Sequence, residues 1–310
     1  MRIAAVTVIA NEWHQLDEWQ SHYDLYKSAI DAHIIVDNNS ENKFHNELQK
    51  RFGNSIILKR TVNGGITAAF NDGIRKAIEL RVDVIILICP DIQISGDVIR
   101  TMADYIMSQS DVGVVGPILL KRDSEIIECV GGTISAEFRP VYNHLDTPLN
   151  QFQETNTKKS LPVEFIPGGI NMSRPDVYGK VGLQDEELFM YGDEIDWDIR
   201  VKNSGLKLEI LTGITASHQH IFTSSKNRYR SDLAYFLMAR NTILLAHKYS
   251  LHKGALLKVA AKEFANSLKP IGGMILRKRP KKALAIMRGI FKGLVKDYKI
   301  PISILPPTKR

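Results

Sequence analysis

Short unbroken apolar runs alternate with longer stretches of helical period through the first half of the chain. The runs predict strands at residues 3–10, 33–37, 55–59, 82–89 and 113–119. Between the first two, Leu16, Trp19, Tyr23, Tyr26 and Ile30 recur at spacings of three and four, so a helix there turns an aromatic stripe toward the sheet. A second helix is predicted behind Ser40 as its N-cap, with Phe44, Leu48 and Phe52 pointing inward and Gly53 ending it. A third runs over residues 66–80. This alternation predicts an α/β fold, a mostly parallel sheet with helices on both faces. After the fifth strand the pattern changes. Residues 126–142 and 162–171 read as antiparallel strands around Gly131-Gly132 and Gly168-Gly169, and the polar stretch 145–160 reads as a loop.

Charge divides the chain. From Lys248 to Arg310 there are 16 Lys and Arg against 2 Asp and Glu, so the chain's +7 is the sum of +14 there and −7 over residues 1–247. We therefore expect a globular domain over residues 1–247 and a basic helical extension over 248–310. In that extension apolar and basic residues interleave, as in amphipathic helices lying on an anionic membrane surface. Aromatics are sparse among its cations, which argues against nucleic acid as the partner. The run 3–10 is too short for a membrane span or a signal-peptide core, and no stretch reaches the roughly 18 apolar residues a span needs. The two cysteines, Cys89 and Cys129, offer neither a disulfide framework nor a zinc site. A reducing, cytoplasmic setting is expected.

Ligands of open α/β sheets sit at the carboxyl ends of the strands. There the chain places Asp37-Asn38-Asn39-Ser40 after the second strand and Pro90-Asp91 after the fourth. Between them lies Asn63-Gly64-Gly65, opening a helix that carries Asn71, where glycine lets backbone approach a ligand and the helix N-terminus favours a diphosphate. The densest acidic cluster is Asp193-Glu194-Ile195-Asp196-Trp197-Asp198, read as the start of a helix ending near Gly205. Acidic residues in a first turn complement the helix dipole, but Trp197 on so polar a helix is suited to stack on a sugar. His218-Gln219-His220 follows a strand-like run over residues 206–215, and alternate residues of an extended segment face one side, as two metal ligands do.

Taken in order, these segments resemble glycosyltransferase family 2, in the branch of bacterial rhamnosyl-, galactofuranosyl- and other O-antigen or capsule transferases. The matching pieces are the run from Ile35 to Ser40, Asn63-Gly64-Gly65 through Gly73, Leu87 to Asp91, Gly168-Gly169, residues 185–200, His218-x-His220 and Arg240-Asn241. The resemblance implies a GT-A fold and an inverting, metal-dependent transfer of a sugar from a nucleotide-sugar to a saccharide, the acceptor lipid-linked and the enzyme peripheral at the inner face of the membrane. It is compatible with a homo-oligomer. It further implies that Asp37 and Asn39 meet the nucleotide with Asn63, Gly64, Gly65, Asn71 and Trp197. On the same resemblance, Asp91 and His218 would hold Mg²⁺ or Mn²⁺, and Glu194, or Asp193, would be the general base. The chain departs from the family pattern at Cys89, where Asn or Asp is usual, and at Asn11-Glu12-Trp13. The reading to be set against it is a non-catalytic module that binds nucleotide-sugar or polysaccharide on a membrane complex.

Overall fold

The computed structural model describes residues 1–218, 231–250, 253–276 and 279–301. Those residues form two compact units. The first comprises Met1–Thr133, Val141–Glu186 and the stretch from Trp197 to His218; the second comprises Ile134–Pro140, Glu187–Asp196 and the described residues from Ser231 onward.

The first unit is built on a mixed sheet. Strands β1 (Ile3–Ile9), β2 (Ala32–Asp37), β3 (Ile56–Lys59) and β4 (Val84–Ile88) run parallel in the order β4-β1-β2-β3. Every residue of β4 and all but one of β1 are buried. Such strands need cover on both faces. It comes from α1 (Leu16–Tyr26), α2 (Asn42–Arg51), α3 (Gly65–Glu79) and α4 (Gly96–Ser108). On α3, Gly73 lies over β1 so closely that an added Cβ would strike Val6.

The sheet continues past β4. Short β5 (Ile92–Gln93) precedes β6 (Val112–Lys121), which pairs antiparallel with β7 (Ile127–Cys129). A hairpin, β8 (Gly132–Ile134) with β9 (Pro140–Tyr142), follows. Then come β10 (Ser160–Val163) and β11 (Ile170–Ser173), the latter antiparallel to both β4 and β6, and finally β12 (Lys207–His218), parallel to β6. Helices α6 (Pro175–Val181) and α7 (Asp193–Asn203) intervene, and α7 ends at Gly205 in the left-handed region (φ +85).

Two local expectations are corrected. The stretch 145–160 contains a helix, α5 (Leu149–Thr155), because Leu149 and Phe152 find buried sites among its polar residues. Ser40 does not cap α2; its hydroxyl accepts from the Asn11 backbone N–H at 3.0 Å, and the position before the helix is Glu41.

The second unit is helical: α8 (Asp232–Tyr249), α9 (Lys253–Leu276) and α10 (Pro280–Leu294). Ala239, Ile243, Ala283, Ile286 and Ile290 form its core, with Leu256 and Ile271 against them. Among the described residues, no helix is long and apolar enough to cross a membrane.

Candidate functional site

At the carboxyl end of β2 the chain closes a local network. Both oxygens of Asp37 are engaged: Oδ1 accepts from the Ser40 N–H at 2.8 Å, and Oδ2 lies 2.7 Å from His45 Nδ1. The carboxylate is wholly enclosed. Asp37 thus holds the turn instead of presenting an open carboxylate, which corrects its expected place on the ligand side. Asn39 is half-buried in the left-handed region (φ +67). The sequence reading passed over Asn38. Its amide N–H donates to Asn63 Oδ1 and to the Gly65 carbonyl, both at 3.0 Å, and its oxygen accepts from the Gly64 N–H at 3.2 Å. One buried amide therefore ties the end of β2 to the start of α3. Gly64 is obligatory there, because an added Cβ would lie 2.9 Å from both Ala68 Cβ and the Arg60 guanidinium.

Asn71, expected to touch the nucleotide, is used internally. Its NH₂ donates to the Gln184 carbonyl and to Glu186 Oε1, both at 2.9 Å, and its oxygen accepts from the Gln184 N–H at 3.0 Å. With both amide hydrogens engaged and its oxygen accepting, this buried side chain fastens the segment after α6.

Trp197 is a second correction. It is 3% exposed, stacks on Tyr178 with centroids 5.0 Å apart, and donates its indole N–H to the Gly182 carbonyl at 3.0 Å. Its polar sequence neighbours misled the reading; Asp198 is itself buried, accepting from the Ile166 N–H at 2.8 Å. A core tryptophan has a direct test. Trp197→Ala is expected to cost about 3–5 kcal/mol of stability, read by denaturant unfolding of the protein.

The turn after β4 carries Asp91. Its approach is fixed from two sides: the Cys89 N–H donates to the Gly169 carbonyl at 2.9 Å, and buried His22 on α1 meets the Pro90 carbonyl through Nδ1 at 3.1 Å. Next in the chain, Ile92 pairs antiparallel with His218 at the end of β12, which sets Asp91 beside the imidazole. His218 Nε2 lies 3.4 Å from Asp91 Oδ2, and Nδ1 lies 3.0 Å from Oε1 of Glu128 on β7. Burial works against an imidazolium here, yet the hydrogen bonds and charges of Asp91 and Glu128 outweigh it and raise His218 to about 9. Half-buried Glu12, beyond β1, completes the group; burial first and the Asp91 charge second push its carboxyl up to about 7. The sequence reading missed Glu128 and Glu12. The signal for the first was a charge enclosed by apolar strand residues in Ile127-Glu128-Cys129, and for the second an acid ending an apolar run. His220 lies outside the described residues.

Among the described residues, no cluster of three or more histidine, cysteine or carboxylate side chains is arranged to hold a metal ion. The donor chemistry of the pair nonetheless fits a divalent cation that takes its other ligands from diphosphate and water. Asp91 offers a carboxylate oxygen, His218 turns Nε2 toward it, and Glu128 on Nδ1 fixes the ring in the carboxylate–imidazole arrangement typical of metal-bound histidines.

In the second unit, the acidic cluster enters α7 through a backbone held by two residues of α8. Phe189, Tyr191 and Gly192 all have positive φ. Fully buried Arg240 donates to the carbonyls of Glu187 (3.0 Å) and Leu188 (3.1 Å), and the Asn241 amide reaches those of Leu188, Met190 and Tyr191 at 2.9, 2.9 and 2.7 Å. Asp196 is anchored as well, accepting from the Tyr249 hydroxyl and pairing with Lys248, both at 2.6 Å. Asp193 is buried, and burial, followed by the charge of adjacent Glu194, pushes its carboxyl well above the usual range. Glu194 is half-buried.

Residues 17–162 match the family model described as Glycosyl transferase family 2. The chain is similar to the dTDP-rhamnosyl transferase RfbF of Shigella flexneri, 25% identical over 199 residues that cover 59% of this chain and 62% of that protein. It is also similar to the N-acetylglucosaminyl-diphospho-decaprenol L-rhamnosyltransferase of Mycobacterium tuberculosis, 23% identical over 187 residues, 56% of this chain and 61% of that protein. The chain thus spans under two thirds of the length of either relative. A solved mannosyltransferase of Pyrobaculum calidifontis, PcManGT, in complex with GDP-Man and Mn²⁺, superposes with a TM-score of 0.57 over 95% of this chain and 87% of that one. At 10% identity that likeness is one of fold.

Proposed function

We propose that this chain, whose residues 17–162 match the model of glycosyltransferase family 2, transfers a sugar, with inversion, from a nucleotide-diphospho-sugar to a saccharide hydroxyl. The observation that carries this reading is the Asp91–His218–Glu128 arrangement, assembled from β7, β12 and the turn after β4. Its donor is a UDP-hexose or dTDP-rhamnose, the latter in keeping with the name of the Shigella relative. Its acceptor is a lipid-linked saccharide of surface-polysaccharide synthesis, as the name of the mycobacterial relative suggests. The basic segment 248–310 would bring it to the cytoplasmic membrane face.

Asp91 and His218 would hold Mg²⁺ or Mn²⁺, which when bound supplies positive charge against the departing diphosphate. Glu128 keeps the His218 ring in register. The backbone around Asn63, Gly64 and Gly65, at the α3 N-terminus, favours phosphate oxygens. Glu194 takes the proton of the attacking hydroxyl. A thermal-shift panel of UDP-, GDP- and dTDP-sugars with Mn²⁺ tests the reading, since a ligand of the native state raises the melting temperature. One nucleotide class should stabilise the protein, and only with the cation. No shift with any of them, together with no donor hydrolysis, would overturn it.

A further inference from the structure

Helix α10 is apolar on two sides. Its inner side is settled by packing on α8: Ala283, Ile286, Gly289, Ile290 and Gly293 are buried. Both glycines are required, because an added Cβ at Gly289 would strike the Phe236 carbonyl and one at Gly293 would lie 2.8 Å from the Arg240 carbonyl. That close approach fixes the helix about its own axis, and so fixes what points away. The outer side carries Leu284, Met287, Phe291 and Leu294 at spacings of three and four, each at least 41% exposed and Phe291 62%. A helix on a water-facing surface ordinarily shows polar residues there. Half of the exposed large apolar side chains among the described residues lie at or beyond Leu257.

Beside this stripe is a cavity of about 460 Å³, floored by Met287, Phe291, Ile300 and Pro301 and rimmed by Arg288, Lys292 and Lys299. Over residues 280–301 six Lys and Arg face a single acid, Asp297, which pairs with Lys292. Apolar floor and cationic rim together specify the occupant. Nucleic acid would leave the Leu, Met and Phe stripe unused, and a second copy of the face would set like charge against like charge. We propose that the outer side of α10, with the returning segment Lys299–Pro301, is the surface that seats this protein on an anionic phospholipid bilayer, Phe291 and Met287 entering the acyl boundary and Arg288 and Lys299 meeting lipid phosphates. The inference deepens the functional reading above and rests on it only for placing the acceptor in a membrane.

The test is flotation of the full chain with phosphatidylcholine vesicles, with and without phosphatidylglycerol. The protein should float only with the anionic vesicles. Met287→Ser with Phe291→Ser should weaken that binding by about tenfold or more, and Arg288→Ser with Lys299→Ser should do so by about fivefold per cation. Leu25→Ser, at an exposed position on α1, should change nothing. Unaltered circular dichroism and melting temperature establish that each variant folds. Absence of flotation by the unaltered protein, equal binding to neutral vesicles, or unchanged binding by the Met287/Phe291 variant would each overturn the proposal. So would a dimer, seen by light scattering, that those two substitutions dissolve, since the face would then cover a second copy. Donor hydrolysis in solution, measured on the same samples, reports the functional reading separately.

Discussion

Replacing Glu194 by Gln is expected to lower kcat by about 10²- to 10⁴-fold, the range a positioned general base supplies, with donor affinity nearly unchanged. Three acids share the first turn of α7, and each is in a different physical state. Asp196 is fully buried and already paired with Lys248 and Tyr249, so it anchors the helix. Asp193 is buried, and burial with the Glu194 charge pushes its carboxyl well above the usual range, which disfavours the ionised form a base needs. Glu194 is the member of the three with solvent access to its side. The glutamine amide keeps its size and most of its hydrogen bonding but cannot accept a proton from a hydroxyl. Asp193→Asn should therefore act mildly on kcat, and Asp196→Asn chiefly on stability. Near-normal turnover by the Glu194 variant, with turnover lost in the Asp193 variant, would transfer the role to Asp193.

The parallel half of the sheet was legible in the sequence because β1, β2, β3 and β4 are continuous apolar runs, and the helix stripes between them, such as Leu16 and Trp19, are buried as their spacing requires. The start of α7 at Asp193 and its end at Gly205 were legible for the same local reasons. What was hidden depends on partners distant in the chain. Trp197 looks exposed from its acidic neighbours, yet Tyr178 and the Gly182 carbonyl, contributed by the segment around α6, draw it into the core. Asn71 looks like a ligand residue until the segment 184–186 folds onto it. Asp37 sits at the ligand end of a strand, but His45, one helix away, closes its carboxylate. Conversely, Glu128 acquires meaning only when β7 pairs with β6 and β12 lies on that strand's other side, bringing His218 to it. Period and turn chemistry are local properties; which side of a carboxylate meets a partner is not.

Divalent-cation binding is expected to compete with a proton on His218, and to strengthen by about tenfold per pH unit over the range in which the imidazole remains protonated. Burial disfavours the charged ring, but Asp91 and Glu128 overcome it, and the result lies at about 9 against an ordinary 6.5. A raised value in the folded protein means that the imidazolium contributes stability in full below pH 6.5. That contribution fades as pH rises toward 9. Across this window the cation-free protein thus favours a proton on His218 between Asp91 and Glu128, and that proton would have to leave for the imidazole to hold a cation. Isothermal titration in buffers of differing ionisation enthalpy should record proton release on Mn²⁺ binding. Glu128→Gln keeps an acceptor for Nδ1 while removing a charge, so the pH at which affinity levels off should move toward acid. Asp91→Asn should abolish both Mn²⁺ binding and turnover, and excess EDTA should silence the unaltered protein. Mn²⁺ affinity flat between pH 6.5 and 9, or full turnover in EDTA, would remove His218 and Asp91 from the chemistry and leave their pairing as a structural clasp between β12 and the turn after β4.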